Sequence, residues 1–182
     1  AAAEGLLRGG VLPVMKHMPG HGLAEIDSHL AAPRTDASLQ MLEDLDFKPF
    51  RKLKKMLMGM TAHVVYEDID PERPGTISPA IHKLIRRSIG FDGLLMSDDL
   101  SMEALGGNAT SRARAVIGAG CDIVLHCNGK LDEMHSVTEA VGQMGPKARK
   151  RAAEVIHMHD TLTQREVDIS RFTEQLDIIS QN

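Results

Sequence analysis

Two clusters of side chains in this sequence could do chemistry. The first lies in residues 17–36, where His17, His21 and the triplet Asp27-Ser28-His29 share a stretch with Pro19, Gly20, Gly22 and Pro33. A carboxylate two residues before an imidazole can accept one ring N–H, fix the tautomer and raise the basicity of the other nitrogen. That suits His29 to general acid/base work with Asp27 as its partner, although a histidine on a solvated turn fits the same spacing. The second cluster is Ser97-Asp98-Asp99-Leu100-Ser101-Met102, directly after an apolar run. Carboxylates there are costly to bury without partners or work. Adjacent side chains in extended backbone point opposite ways, so one aspartate can face a pocket while the other braces the chain. Asp98, nearer the strand, takes the pocket. The plain alternative is that either aspartate caps a following helix.

A metal reading competes. His17 and His21, with Asp27 and His29 nearby, could hold zinc or another divalent ion. Pro19-Gly20 breaks any helix that would align the first two, so no metal is assigned. The sequence has no GxxxxGK[ST] and no GxGxxG between a strand and a helix, so no nucleotide cofactor is expected. It has no CxxC, and Cys121 and Cys127 border the apolar run 123–125. Both are expected to be buried free thiols of a reducing compartment, which together with the absence of a secretion signal suggests the cytoplasm.

Elements must carry these groups. Four apolar runs, at 11–15, 56–66, 93–96 and 122–125, suit strands buried on both faces of a parallel sheet. Helical spacing occupies 38–45, 49–56, 79–89, 110–119 and 146–162, and the tail 168–179 adds a last helix. Ser78 and Pro79 open the third of these, and Gly90 closes it. Strand and helix alternate, which is α/β with right-handed crossovers. A doubly wound open sheet and a (β/α)8 barrel both fit; a barrel typically takes about 250 residues, so four βα units would be half of one. In either architecture functional groups gather at the C-terminal ends of the strands. Those ends read Lys16-His17, Thr61-Ala62-His63, Ser97-Asp98-Asp99 and His126-Cys127-Asn128, and together they favour a polar pocket.

The chain has 182 residues, 42% hydrophobic and 25% charged, enough for one domain and too apolar for wholesale disorder. With 21 Lys+Arg against 25 Asp+Glu it carries a net charge of -4 and no basic block, so nucleic acid is not an expected partner. No apolar run approaches the roughly 20 residues that cross a bilayer, so no membrane partner is expected either. Residues 1–9 read like the end of a helix, which suggests that an N-terminal half lies elsewhere.

Taken in order, Lys16-His17-Met18-Pro19-Gly20-His21-Gly22, Asp27-Ser28-His29, Met60-Thr61-Ala62-His63 and Ser97-Asp98-Asp99-Leu100-Ser101-Met102 resemble the bacterial β-N-acetylhexosaminidases of glycoside hydrolase family 3. Met18 stands where the familiar form has Phe. The resemblance implies a (β/α)8 TIM barrel of which residues 1–182 form the C-terminal part, roughly the last four βα units, with 163–182 as a helical tail. It implies Asp98 as nucleophile, His29 as general acid/base with Asp27 as its partner, and Lys16 and His17 as contacts to sugar hydroxyls. No metal and no cofactor are expected. The substrate would be a terminal β-linked N-acetylglucosaminide, in particular a muropeptide carrying 1,6-anhydro-N-acetylmuramic acid in cell-wall recycling. A neutral base repels an anionic acceptor less than a carboxylate does, so a phosphorylase of the same fold stays open. The family's other sugar-binding groups, an Asp and arginines on earlier strands, have no counterpart here. An inactive half-barrel that self-associates through open sheet edges is therefore the alternative.

Overall fold

In a computed structural model of the chain, residues 1–24, 32–163, 170 and 173 are described. In chain order the elements are α1 (Ala2–Arg8), β1 (Val14–Met18), β2 (Arg34–Thr35), α2 (Leu39–Asp44), α3 (Lys48–Lys52), β3 (Met58–Thr61), β4 (Val65–Tyr66), α4 (Pro79–Leu84), β5 (Leu94–Asp99), α5 (Ala109–Ala119), β6 (Ile123–Leu125), α6 (Leu131–Val141) and α7 (Pro146–Thr161). Four strands form one sheet in the order β1-β3-β5-β6, and every pair in it is parallel. Each new strand is laid on the same side of the last. A doubly wound sheet reverses its order at a switch point; this one never does. One-way winding is the rule of a barrel, so the fold is a run of βα units of a (β/α)8 barrel, with β1 and β6 as its outer strands among the described residues.

The expected elements hold in order, except that the helix expected over 49–56 ends at Lys52, and with three larger corrections. First, β1 runs over Val14–Met18 rather than 11–15, which puts Lys16 and His17 inside the strand. Pro13 just before it has no N–H to give a ladder. Second, the run 56–66 is not one strand. It breaks at Ala62-His63-Val64 into β3, in the main sheet, and β4, which pairs with β2 in a small second sheet. An apolar stretch of that length exceeds the usual strand of about 5–6 residues. Third, α6 has no counterpart among the expected helices, although Leu131, Met134, Val137 and Val141 carry its helical spacing. The helix expected over 79–89 is α-helical to Leu84 and continues as a π-helical turn, Ile85–Ile89. Ser78 caps it by accepting from the Ile81 amide at 3.2 Å, and Gly90 ends it at a φ of 78°. Of the expected tail helix, only Ser170 and Thr173 fall among the described residues, and both are helical.

The core lies between the sheet and its helices. Met18, Phe47, Tyr66, Ile85, Phe91 and Leu95 are fully buried there. Gly59 lets β1 and β3 close up, because a Cβ on it would lie 2.7 Å from the Met18 sulfur. At the N-terminal ends of β5 and β6 the carboxylate of Asp122 gathers three donors: Leu95 N at 2.9 Å, Arg86 Nη2 at 2.7 Å and Arg151 Nη1 at 2.9 Å. Arg86 also donates to the Gly93 carbonyl at 2.7 Å and stacks over the Phe91 ring. This knot ties α7 and the π-helical turn that follows α4 to the bottom of the sheet and leaves the opposite ends free for chemistry.

Candidate active site

The C-terminal ends of β1 and β5 bring His17 and Asp98 together over β3: His17 Nε2 lies 3.6 Å from Asp98 Oδ2. Both strands reach this point through the same irregularity. Met15 pairs with Gly59 and Met18 with Thr61, so Lys16 and His17 together face Met60. Met96 pairs with Ile123 and Asp99 with Leu125, so Ser97 and Asp98 together face Val124. One extra residue in a strand bends it and re-aims the side chains beyond. Lys16 is exposed, whereas His17 and Asp98 are partly buried.

The two adjacent aspartates divide their work. Asp99 Oδ1 accepts from the amides of Ser101 at 3.1 Å and Cys127 at 3.0 Å, and its Oδ2 accepts from the Ser101 hydroxyl. Burial opposes its charge, but these donors outweigh burial and hold the carboxyl below its usual range. Asp99 therefore braces the loops after β5 and β6. It caps a turn rather than a helix; α5 is capped by Asn108, which accepts from Ser111 N at 2.9 Å. Asp98 keeps Oδ2 towards His17 while Oδ1 accepts from the Asp99 amide at 2.9 Å. Burial pushes the His17 imidazole below its usual value, against the pull of Asp98, and Lys16 and His21 push the same way as burial. The His21 ring meets that of His17 edge-on at 6.1 Å.

Residues 19–23 are clamped from beneath. The Tyr66 hydroxyl donates to the Gly20 carbonyl at 2.5 Å, and the Leu23 amide donates to Asp46 Oδ2 at 3.3 Å. A Cβ on Gly20 would lie 2.5 Å from the Asp46 Cβ. Burial, then the nearby Asp46, raises the Tyr66 hydroxyl well above its usual pKa, so it stays a donor. Neither Tyr66 nor Asp46 stands out in the sequence as part of a site, since nothing local links them to residues 19–23. Asp27 and His29 lie outside the described residues.

The other strand ends differ from one another. His63 is buried beneath the site, and His126 is nearly buried with Glu133 Oε2 3.5 Å away. The expectation of two buried thiols is corrected: Cys121 is buried but Cys127, which follows β6 into the loop, is exposed. Among the described residues no group of three or more His, Cys, Asp or Glu side chains is placed to hold a metal ion, and no helix is long and apolar enough to cross a membrane.

A singly wound α/β barrel sheet with a carboxylate and an imidazole facing each other at the strand ends has the layout of a barrel enzyme site. Residues 1–157 match the family described as "Glycosyl hydrolase family 3 N terminal domain". The chain belongs to glycosyl hydrolase family 3. The matched domain is the one that the family description places N-terminal within the family. A beta-hexosaminidase of Neisseria gonorrhoeae is 45% identical over 132 residues, covering 70% of this chain and 37% of that relative. A beta-hexosaminidase of Idiomarina loihiensis is 33% identical over 175 residues, covering 94% of this chain and 53% of that relative. The solved structure of NagZ from Neisseria gonorrhoeae in complex with N-trifluoroacetyl-D-glucosamine superposes with a TM-score of 0.74 at 35% identity, covering 90% of this chain and 46% of that one. The chain thus spans 37% to 53% of the length of these curated relatives.

Proposed function

We propose that the intact protein is a retaining glycoside hydrolase that removes terminal β-linked N-acetylglucosamine. Family membership and the beta-hexosaminidase relatives support the glycosidase class. The observation that carries the assignment within this chain is the division between the aspartates. Asp99 is committed to Ser101 and Cys127, while Asp98 presents a carboxylate oxygen to the His17 side of the strand ends.

Asp98 attacks the anomeric carbon as the bond to the leaving oxygen breaks, forming a glycosyl ester on its carboxylate. A retaining glycosidase otherwise uses a second carboxylate as acid and then base. Here His29, held by Asp27, takes that role: its imidazolium gives a proton to the leaving oxygen, and the neutral ring then takes one from the water that cleaves the ester. An imidazole titrates near neutral pH and can serve both steps. Lys16 and His17 bind sugar hydroxyls beside the reacting carbon. The proposed substrate is a muropeptide bearing N-acetylglucosamine on 1,6-anhydro-N-acetylmuramic acid, handled in the cytoplasm during peptidoglycan recycling. Trapping with a slow 2-deoxy-2-fluoro glycoside and mapping the label tests the nucleophile. A label on any residue other than Asp98 rejects it.

A second reading rests on the two outer strands. Expressed as these 182 residues alone, the chain presents the edges of β1 and β6 and is expected to self-associate through them without activity. Sedimentation and a glycosidase assay on one sample separate the readings; an active monomer rejects the second.

A further inference from the structure

Beneath Asp98 runs a chain of buried polar side chains that the proposed reaction leaves unused. Thr61, His63 and Thr76 are each at most 1% exposed. Thr61 Oγ1 lies 2.8 Å from Thr76 Oγ1, Thr76 Oγ1 lies 2.7 Å from His63 Nδ1, and His63 Nε2 lies 3.0 Å from the Asp99 carbonyl oxygen. Proton accounting fixes every direction in this chain. The carbonyl can only accept, so Nε2 carries the hydrogen. Burial disfavours the imidazolium and lowers the His63 pKa, so Nδ1 keeps its lone pair. The Thr76 hydroxyl must then donate to Nδ1, and the Thr61 hydroxyl to Thr76. The Ala62 carbonyl also lies 3.1 Å from the Thr76 hydroxyl, but the single hydroxyl hydrogen goes to Nδ1 at the shorter 2.7 Å, and the Thr76 amide serves that carbonyl at 3.1 Å. Every hydrogen on the path from Thr61 to Asp99 then has an acceptor.

The end point of this chain matters because the ladder on its β3 side stops short of it. Pairing of β3 with β5 runs through Met60 and Met96 and no further. On the other side β5 carries its extra residue at Ser97-Asp98. Side chains bridge the gaps: Ser97 Oγ accepts from Leu125 N at 2.9 Å and Asp99 Oδ1 from Cys127 N beside the resumed Asp99–Leu125 pairing with β6, while on the β3 side His63 donates to the Asp99 carbonyl. The last of these holds the residue next to Asp98 from the β3 side.

We propose that His63 is a positioning residue for Asp98: tautomer-locked by Thr76 and Thr61, it pins the Asp99 carbonyl and so fixes the re-aimed end of β5 that carries the nucleophile. This rests on the assignment of Asp98 given above. A buried network of this kind is rigid when fully satisfied and expensive when broken. Nucleophilic attack needs placement to a fraction of an ångström, and a misplacement of about 1 Å costs on the order of 100-fold in rate.

The test separates the two ends of the ring. In His63→Asn the amide occupies the place of Nδ1 and keeps Thr76 but no longer reaches Asp99. In His63→Gln the amide nitrogen reaches the place of Nε2. In the intact protein His63→Asn is expected to lower kcat by about 100-fold with little change in KM. His63→Gln is expected to recover roughly tenfold of that loss. Thr76→Val, which removes the hydroxyl but keeps the shape, is expected to lower kcat selectively as well, and it serves if His63→Asn does not fold. Equal losses in the Asn and Gln variants, or a folded Asn or Val variant with unchanged kcat, overturn the proposal. Fluoroglycoside labelling keeps the two readings apart. Wild-type label away from Asp98 rejects the nucleophile assignment. Label on Asp98 that forms at the wild-type rate in His63→Asn rejects the positioning role alone.

Discussion

His17 and Asp98, from strands separated by β3, meet with Nε2 and Oδ2 3.6 Å apart, each displaced by one extra residue in its own strand. The separation is longer than a hydrogen bond, so the pair is a facing arrangement with room to rearrange around a ligand. Asp98 is left as the less occupied carboxylate of the adjacent pair. Asp98→Gly in the intact protein is therefore expected to lower kcat by about 10⁴-fold, and added azide to restore turnover by giving a glycosyl azide of inverted configuration. Loss of less than about tenfold would remove Asp98 from the mechanism.

For His29, the proposed proton donor, the expected signature is selectivity. His29→Ala should slow substrates with poor leaving groups by about 10²–10⁴-fold and largely spare activated aryl glycosides, which need no proton. Steady-state rates across a leaving-group series check this. A uniform loss across the series would make His29 a structural residue.

The clamp on residues 19–23 is sensitive to single atoms. Gly20→Ala drives a methyl group to 2.5 Å from the Asp46 Cβ and is expected to cost about 1–3 kcal/mol of stability. Tyr66→Phe strands the Gly20 carbonyl without its donor at a similar cost of about 1–3 kcal/mol. Denaturant melts measure both. A neutral result for Gly20→Ala would mean that Asp46 does not sit against this turn.

At the opposite end of the sheet, Asp122→Ala leaves Arg86 facing no carboxylate in a largely buried site, and leaves Arg151 with Asp92 alone. Breaking one partner of such a cluster is expected to cost about 3–5 kcal/mol. The folded fraction should keep its kcat, because the knot lies at the far end of β5 and β6 from Asp98. A kcat that falls with stability unchanged would contradict this division of the fold.

Acid should destabilise the fold through its buried histidines. Burial lowers the pKa of His17, His63 and His82 below the ordinary value of 6.5. The unfolded chain then binds more protons than the native one, so stability rises with pH in that window. Their contribution is complete above about pH 6.5 and is lost as pH falls towards the depressed native values. Melting temperatures between pH 8 and pH 5 should show the decline, and His63→Gln should flatten it. A melting temperature that rises as pH falls through this range refutes the assignment of neutral buried rings.

The sequence by itself determined what depends on near neighbours. Apolar runs mark the strands, Ser78, Pro79 and Gly90 mark the ends of a helix, and the alternation of side chains already separates Asp98 from Asp99. The motifs also carry the family. Only the tertiary structure decided what depends on residues far apart in the chain. The one-way strand order chose the barrel over the open sheet, because winding direction is a property of the whole sheet. The extra residues at Lys16-His17 and Ser97-Asp98 exist only relative to their partners' register. Asp46 beneath Gly20, Tyr66 on the Gly20 carbonyl and Thr76 on His63 are contacts made by packing, and no local pattern encodes which distant side chain arrives. Residues 56–66 are the clearest case: free of formal charge apart from His63 and largely apolar as a string, they divide between two sheets because β1 and β5 claim the first part and β2 the second.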